Sequence, residues 1–200
     1  MTRPQNEKMR KAKVKRILDA AESIFKKKGF LAATMQDIVD ECGISRGGVY
    51  LYYASVDEIF MEVIKRHYKE RYSAISKMVH DTEPFEEVLE IYLSKQKNRL
   101  LNFSSSLFRA YCEYVFSKPK PAARAFSDVQ LGHLRKTINS ILTLGTNQGK
   151  IDKSQIPSLT DHFIVIIDGL GIMALADAIT EEIIDAQFRI LKSTLFVSRR

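Results

Sequence analysis

TMQDIVDECGISRGGVYLYY occupies residues 34–53. Met35, Ile38, Val39 and Cys42 recur at the three- and four-residue spacing of one helical face, and Gly43 follows as a stop. Ser45 is placed to cap a second helix that runs through SRGGVYLYY, and the apolar Ile44 packs inward between the two. The first helix is expected over 34–41, with the turn at Cys42, Gly43 and Ile44. Two short helices joined by a tight turn containing glycine have the form of a helix-turn-helix. Gly47 and Gly48 then acquire a reason. A recognition helix brings its first turn against base edges and phosphates, and glycine lets the backbone approach closely. Each glycine costs about 1 kcal/mol of helix propensity relative to alanine, which packing of Val49 and Tyr53 has to offset. A loop that binds nothing is the alternative.

Outward from this stretch the chain reads as helical. Val14, Ile17, Leu18, Ala21, Ile24 and Phe25 form a stripe ended by Gly29. Ser55 starts a long helix over about 55–75, with Glu58 three residues on as its capping partner. Thr82 and Pro84 open another, and 103–116 is an aromatic-rich helix broken by KPKP at 118–121. Helices over 126–144, 157–177 and 181–197 follow, the last capped by Thr180. No strand alternation and no internal repeat is present. The fold class expected is all-α, with about nine helices: an N-terminal three-helix helix-turn-helix domain over 1–54 and a larger helical domain over 55–200, the helix of 55–75 linking them.

Charge is uneven along the chain. Residues 1–28 hold ten Lys/Arg against three Asp/Glu, and the remaining 172 residues balance at 21 of each. A basic patch confined to one end suggests a polyanion partner there. Charge alone leaves nucleic acid, an anionic membrane and a solvated tail open. The most apolar stretch, 163–176, is interrupted by Asp168 and falls short of the roughly 20 residues of a membrane span. No secretory signal is visible at the N-terminus, so a cytoplasmic protein is expected. Cys42 and Cys112 form no metal or redox spacing and read as buried apolar groups. His67, His80, His133 and His162 are scattered, with no HxxxH pair and no phosphate-binding or nucleophile motif. No catalytic residue, metal or cofactor is expected.

The segment TMQDIVDECGISRGGVYLYYASVDEIF, residues 34–60, resembles the DNA-binding signature of the TetR family of bacterial transcriptional regulators. Thr34, Ile38, Gly43, Ser45, Gly47, Tyr50, Tyr52, Ser55 and the acid Asp57 match in register, and AAESIFKKKGF at 20–30 resembles the family's first helix. The resemblance covers about residues 10–65. It implies that Thr34, Gln36, Ser45, Arg46, Gly47, Gly48, Tyr50, Tyr52 and Ser55 meet DNA. Thr34 falls at a phosphate position. Arg46 is the candidate for reading guanine O6 and N7, with a phosphate contact as its alternative. Tyr50 and Tyr52 offer hydroxyls to phosphates. Gly48 stands where the family usually carries threonine, and Val56 where it usually carries a phosphate-holding lysine. The basic arm Lys8, Arg10, Lys11, Lys13, Lys15 and Arg16 is placed to compensate.

The same resemblance implies a homodimer that reads a near-palindromic double-stranded operator, and a small-molecule inducer bound in the larger half. A repressor released by a small apolar or amphipathic inducer is the function implied. Ligand residues are expected among His67, Tyr68, Tyr72, Phe103, Phe108, Tyr111, Tyr114 and Phe126; hydrophobic core is their alternative role. The dimer interface is expected on the last two helices, at Phe163, Ile167, Leu170, Met173, Ala174, Phe188, Leu191 and Leu195. Two rivals remain at this level: an architectural helical DNA-binding dimer without an inducer, and an enzyme or small-molecule carrier with no DNA affinity, the enzyme disfavoured by the lack of any paired acid-base set.

Overall fold

The computed structural model describes residues 3–195, which form nine α-helices and two single-turn 3-10 segments. The helices are α1 (Arg3–Lys28), α2 (Met35–Cys42), α3 (Arg46–Tyr50), α4 (Val56–His80), α5 (Phe85–Leu101), α6 (Leu107–Ser117), α7 (Lys120–Asn147), α8 (Ile156–Leu175) and α9 (Glu181–Leu195). No strand occurs among the described residues.

Helix ends follow local chemistry. At α4, Ser55 Oγ accepts from the Glu58 amide at 3.2 Å, and the Glu58 carboxylate accepts from the Ala54 amide at 2.7 Å. These bonds satisfy amides that the first turn leaves without partners. α4 runs five residues past the expected end at 75, to His80. α7 starts earlier than expected, at Lys120 inside KPKP, because Pro121 falls in its first turn, where no helical amide bond is lost. The α3 helix is shorter than expected. It spans five residues, and the amides of Tyr52 and Tyr53 both turn back onto the Val49 carbonyl. Its two glycines favour early termination. Tyr52 and Tyr53 therefore lie beyond the helix.

The chain divides into two compact units. The first comprises Met1–His67 with Ser104–Ala123, and the second Tyr68–Phe103 with Arg124–Arg200. This differs from a division at 54/55, since α6 and the first half of α4 go with the N-terminal helices.

The reason for α6 is visible in the first unit's core. Phe60 is fully buried, with ring centroids 5.0 Å from Phe25, 4.9 Å from Phe30 and 5.0 Å from Tyr114 of α6. Glu113, also on α6, accepts from the amides of Phe30 at 2.6 Å and Leu31 at 3.1 Å. It thereby serves the backbone just after α1, where Gly29 takes φ +80°. Lys118 pairs with Asp57 and lies over the rings of Phe30 and Tyr114. Arg66 on α4 bridges Asp19 and Glu22 on α1 at 2.6 and 2.8 Å. Hydrogen bonds from Lys15 and Arg66 hold the Asp19 carboxyl below its usual range. At Glu22 burial pushes upward, but Lys26 and Arg66 outweigh it. The bridge therefore contributes fully above the ordinary carboxylate range and is lost as pH falls through the lowered values.

In the second unit, Phe85, Phe163, Ile167, Leu170, Ile184, Phe188 and Leu191 form the core among α5, α8 and α9. Pro84 offers α5 no side-chain cap, so Gln148 supplies one: its Oε1 accepts from the Phe85 amide at 2.9 Å. Lys97 joins α5 to α9 through Glu181 and Asp185 at 2.8 and 2.6 Å. The stretch Lys153–Leu175 is long and apolar enough, by length and composition, to cross a membrane, contrary to the expected shortfall. The core helix of a soluble protein meets the same measure, and here Leu159, Phe163, Ile164, Ile167 and Leu170 are buried against the chain's own helices.

Candidate nucleic-acid interface

Residues 34–55 hold the expected contact set on consecutive pieces of the first unit: the start of α2, the whole of α3, the connection that follows it and the cap of α4. Thr34 caps α2. Its hydroxyl accepts from the Asp37 amide at 3.1 Å and donates to Asp37 Oδ2 at 2.9 Å, while the Thr34 amide donates to the same carboxylate at 3.0 Å. Lys28, followed by Thr34, holds the Asp37 carboxyl below its usual range. The Thr34 hydroxyl is thus engaged in capping, and a phosphate contact has to redirect its proton. Gln36 is exposed but donates to Asp40 at 2.7 Å, so a contact with DNA requires that bond to break.

α2 ends at Gly43, whose φ of +59° is the left-handed region that glycine enters without strain. A side chain at this position would also meet Arg16 Nη2 at 2.8 Å. The fold therefore brings Arg16 from the basic arm to the turn of the motif, a placement that spacing along the chain does not reveal. The arm itself is the first part of α1, and Lys8, Arg10, Lys11 and Lys13 are all exposed.

Ser45 caps α3 by accepting from the Gly48 amide at 3.3 Å. Val49 is completely buried and anchors the short helix, while Arg46, Gly47 and Tyr50 stay exposed. The Arg46 guanidinium lies 5.5 Å from the Tyr50 ring centre, within cation–π range. Tyr52 and Ser55 are partly buried in the connection to α4. Tyr53 is half-buried as well; burial pushes its hydroxyl pKa up, with Glu62 adding to the effect.

The two adjacent glycines turn out to differ. A Cβ on Gly48 would come within 2.8 Å of Ile44 Cγ2 and 3.1 Å of Ser45 Oγ, so packing within the motif already accounts for it. A Cβ on Gly47 would meet nothing within 4 Å. Its absence serves no contact inside the chain. Gly47→Ala should therefore raise unfolding stability by roughly 0.5–1 kcal/mol through helix propensity while weakening DNA binding. Denaturation and DNA titration of one preparation check this. Unchanged DNA affinity would remove the close-approach role from Gly47.

The aromatic residues expected to line a ligand pocket are divided between the two units. His67, Phe108, Tyr111 and Tyr114 belong to the first, and Tyr68, Tyr72, Phe103 and Phe126 to the second. Tyr114 is a core residue, packed on Phe30 and Phe60. Phe108 and Tyr111 stack with centroids 5.8 Å apart. Phe103 is buried. In the second unit a cavity of about 40 Å³ lies among α4, α5 and α7, lined by Tyr68, Arg71, Ile75, Tyr92, Lys95, Leu134 and Thr137. Tyr68 is the member of the expected set that lines it, and it also stacks on His133 at 6.0 Å. Arg71, Tyr92 and Lys95 were not among the residues singled out, because helical spacing gives no sign of which polar groups a core will enclose.

The expected dimer residues are likewise redistributed. Phe163, Ile167, Leu170, Ala174, Phe188, Leu191 and Leu195 are buried within the single chain, and only Met173 of that set is exposed. The apolar residues left outside on these helices are Val165, Ile172, Met173, Leu175 and Ile190. Gly169 lies on the same face of α8 as Val165 and Ile172, with nothing within 4 Å of its Cβ position. An all-apolar helix pattern does not indicate which face the chain itself uses.

An all-helical protein that presents a capped helix-turn-helix with an exposed arginine on a five-residue third helix belongs to the class of DNA-binding transcriptional regulators. Comparison with known proteins agrees. Residues 17–63 match the profile of the bacterial regulatory proteins, tetR family. The uncharacterized HTH-type transcriptional regulator YfiR of Bacillus subtilis is 28% identical over 156 residues, 77% of this chain and 76% of YfiR. Among solved structures, a TetR transcription regulator from Haloarcula marismortui superposes with a TM-score of 0.71 at 22% identity, covering 92% of this chain and 97% of that one. FadR from Bacillus subtilis, solved in complex with stearoyl-CoA, gives 0.68 at 17% identity over 90% and 96%. At these identities the structures speak for the fold. Residues 17–63 thus match the DNA-binding segment of the TetR family of bacterial regulatory proteins, and the whole chain shares the fold of TetR-type regulators.

Proposed function

We propose that this chain is a homodimeric repressor that binds a near-palindromic operator through residues 34–55 and releases it when a small molecule binds the second unit. The observation that carries the reading is the α3 helix. It is capped at Ser45 and anchored by the buried Val49, and it leaves Arg46, Gly47 and Tyr50 exposed together. Arg46 reads a base, Tyr50 and Tyr52 contact the backbone, and the capped starts of α2 and α4, at Thr34 and Ser55, present amides to phosphates. Arg16 and the arm of α1 supply the charge that Val56 does not.

A dimer places two α3 helices about 34–36 Å apart, one duplex turn, or at a related spacing. Its contact surface uses the outward faces of α8 and α9, around Val165, Gly169, Ile172 and Ile190, where an isologous four-helix arrangement covers exposed apolar side chains. Sedimentation of the protein at micromolar concentration should give twice the chain mass of 22.9 kDa; a monomer there would refute the interface.

The stearoyl-CoA complex of the FadR structure supports a small-molecule effector for the second unit. Such an effector acts only through its different affinity for the DNA-bound and released states. α4 carries residues of both units and is one of the covalent routes between them. The reading assigns the protein to regulation in the cytoplasm and gives it no catalytic role.

The direct test is Arg46→Ala. Specific binding should weaken by about 1–3 kcal/mol, with little change on random DNA, if Arg46 reads a base. Equal losses on both would make it a phosphate contact and move sequence recognition elsewhere.

A further inference from the structure

The polar groups around the cavity of the second unit include a buried hydroxyl without a partner among the described residues. α5 turns Tyr92 and, one turn on, Gln96 into the interior, where they are 3% and 1% exposed. Neither the Tyr92 hydroxyl nor Gln96 Nε2 has a hydrogen-bond partner among the described residues. An unmet buried donor is costly, so natural cores rarely keep one without a use. Arg99 lies a further turn along the same helix, with its Nε and Nη2 enclosed. Burial, then repulsion from Arg71, pulls its pKa down. Asp168 of α8 acts on both Tyr92 and Arg99. Burial also pushes Asp168 upward, against the pull of Arg99, so even this counter-charge is weakened. Lys95, on the cavity wall, adds a third cation.

Ile75 and Leu134 supply an apolar wall beside these groups. The cavity exceeds the roughly 10–15 Å³ that one water needs and is of the order of a single carboxylate or phosphate head.

We infer that the small molecule recognised by the second unit carries an anionic head on an apolar body, the head seated against Arg71, Tyr92 and Lys95 and the first carbons of the body against Ile75 and Leu134. This rests on the reading of that unit as an effector domain. An anionic acceptor accepts the Tyr92 hydroxyl bond and attracts the Arg71 and Lys95 cations on the cavity lining at once. A neutral ligand does neither. Carboxylate and phosphate share this chemistry.

The test uses the full-length protein and isothermal titration with octanoate, octyl phosphate and 1-octanol, which share one alkyl chain. At least one anion should bind roughly tenfold or more tightly than octanol. Octanoate against octyl phosphate then tells a carboxylate site from a phosphate site. Arg71→Met and Lys95→Met, both at partly or fully exposed positions, should each weaken the anion by a similar factor and leave octanol unchanged. Thermal melts confirm that these variants fold. Equal binding of octanol, no measurable binding of either anion, or variants that bind the anion as the parent does would each overturn the assignment. Adding the bound anion to a protein–DNA complex separates the two claims. An anion that binds as described but leaves DNA affinity unchanged upholds the site and refutes the effector role.

Discussion

Gly29→Ala should lower the stability of the protein by about 2–4 kcal/mol, although it adds one methyl group at a loop. Two effects combine. The residue sits at φ +80°, where a β-carbon costs roughly 1–2 kcal/mol. That carbon would also stand 2.3 Å from Glu113 Oε2, the oxygen that accepts from the Phe30 and Leu31 amides. Glu113 has to withdraw, and hydrogen bonds to a charged group are worth about 1.5–3 kcal/mol where they are shielded, less here because the site is partly exposed. Glu113→Ala removes the same bonds without the backbone strain and should cost less. Because both changes act on one contact, the double variant should fall short of the sum of the singles. Urea unfolding at fixed protein concentration measures all three, because the stability of any self-associating chain depends on concentration. Strict additivity would mean that Glu113 does not hold this loop.

Phe60→Ala should be the most damaging single truncation in the first unit, at about 3–5 kcal/mol. The ring is fully buried where α1, α4 and α6 meet and has three aromatic neighbours with centroids within 5.0 Å. Edge-to-face geometry with Phe25, at 82°, adds to the area term. None of the helices can close the gap alone, because Phe25, Phe30 and Tyr114 also pack on one another or on neighbouring groups. Since α4 begins directly after the motif, DNA affinity should fall with stability at temperatures near unfolding. A loss under about 1.5 kcal/mol would show that the cluster collapses readily and is not what fixes the unit.

Both predictions concern residues whose roles differ sharply in legibility. The helix-turn-helix was readable from 34–60 because its signals are local: Thr34 and Ser45 as caps, Gly43 as the left-handed stop, Val49 as the inward anchor. Local signals act within a few residues and survive in the sequence. Glu113 was not readable. Its partners lie more than 80 positions away, and nothing in LFRAYCEYVFS marks one glutamate as the cap of a distant loop. The same limit applies to the packing of α8. The apolar character of 163–176 is plain, but which side of α8 meets α5 and α9 depends on packing, and the outward side proves to carry Val165, Gly169 and Ile172. In the second unit the aromatic residues drew attention, whereas the charged groups Arg71, Lys95, Arg99 and Asp168 become neighbours only when three helices bring them together.

The central claim is sequence-specific DNA binding by the first unit. Fluorescence anisotropy tests it most directly, with the purified protein titrated against DNA from immediately upstream of its own gene and against a scrambled duplex, each at two salt concentrations. Tight binding to the native fragment, weaker binding to the scrambled one and a loss of affinity with salt are the result expected, since phosphate contacts release counterions and base contacts discriminate. Equal, weak binding to both duplexes would contradict the account and favour an architectural helical dimer.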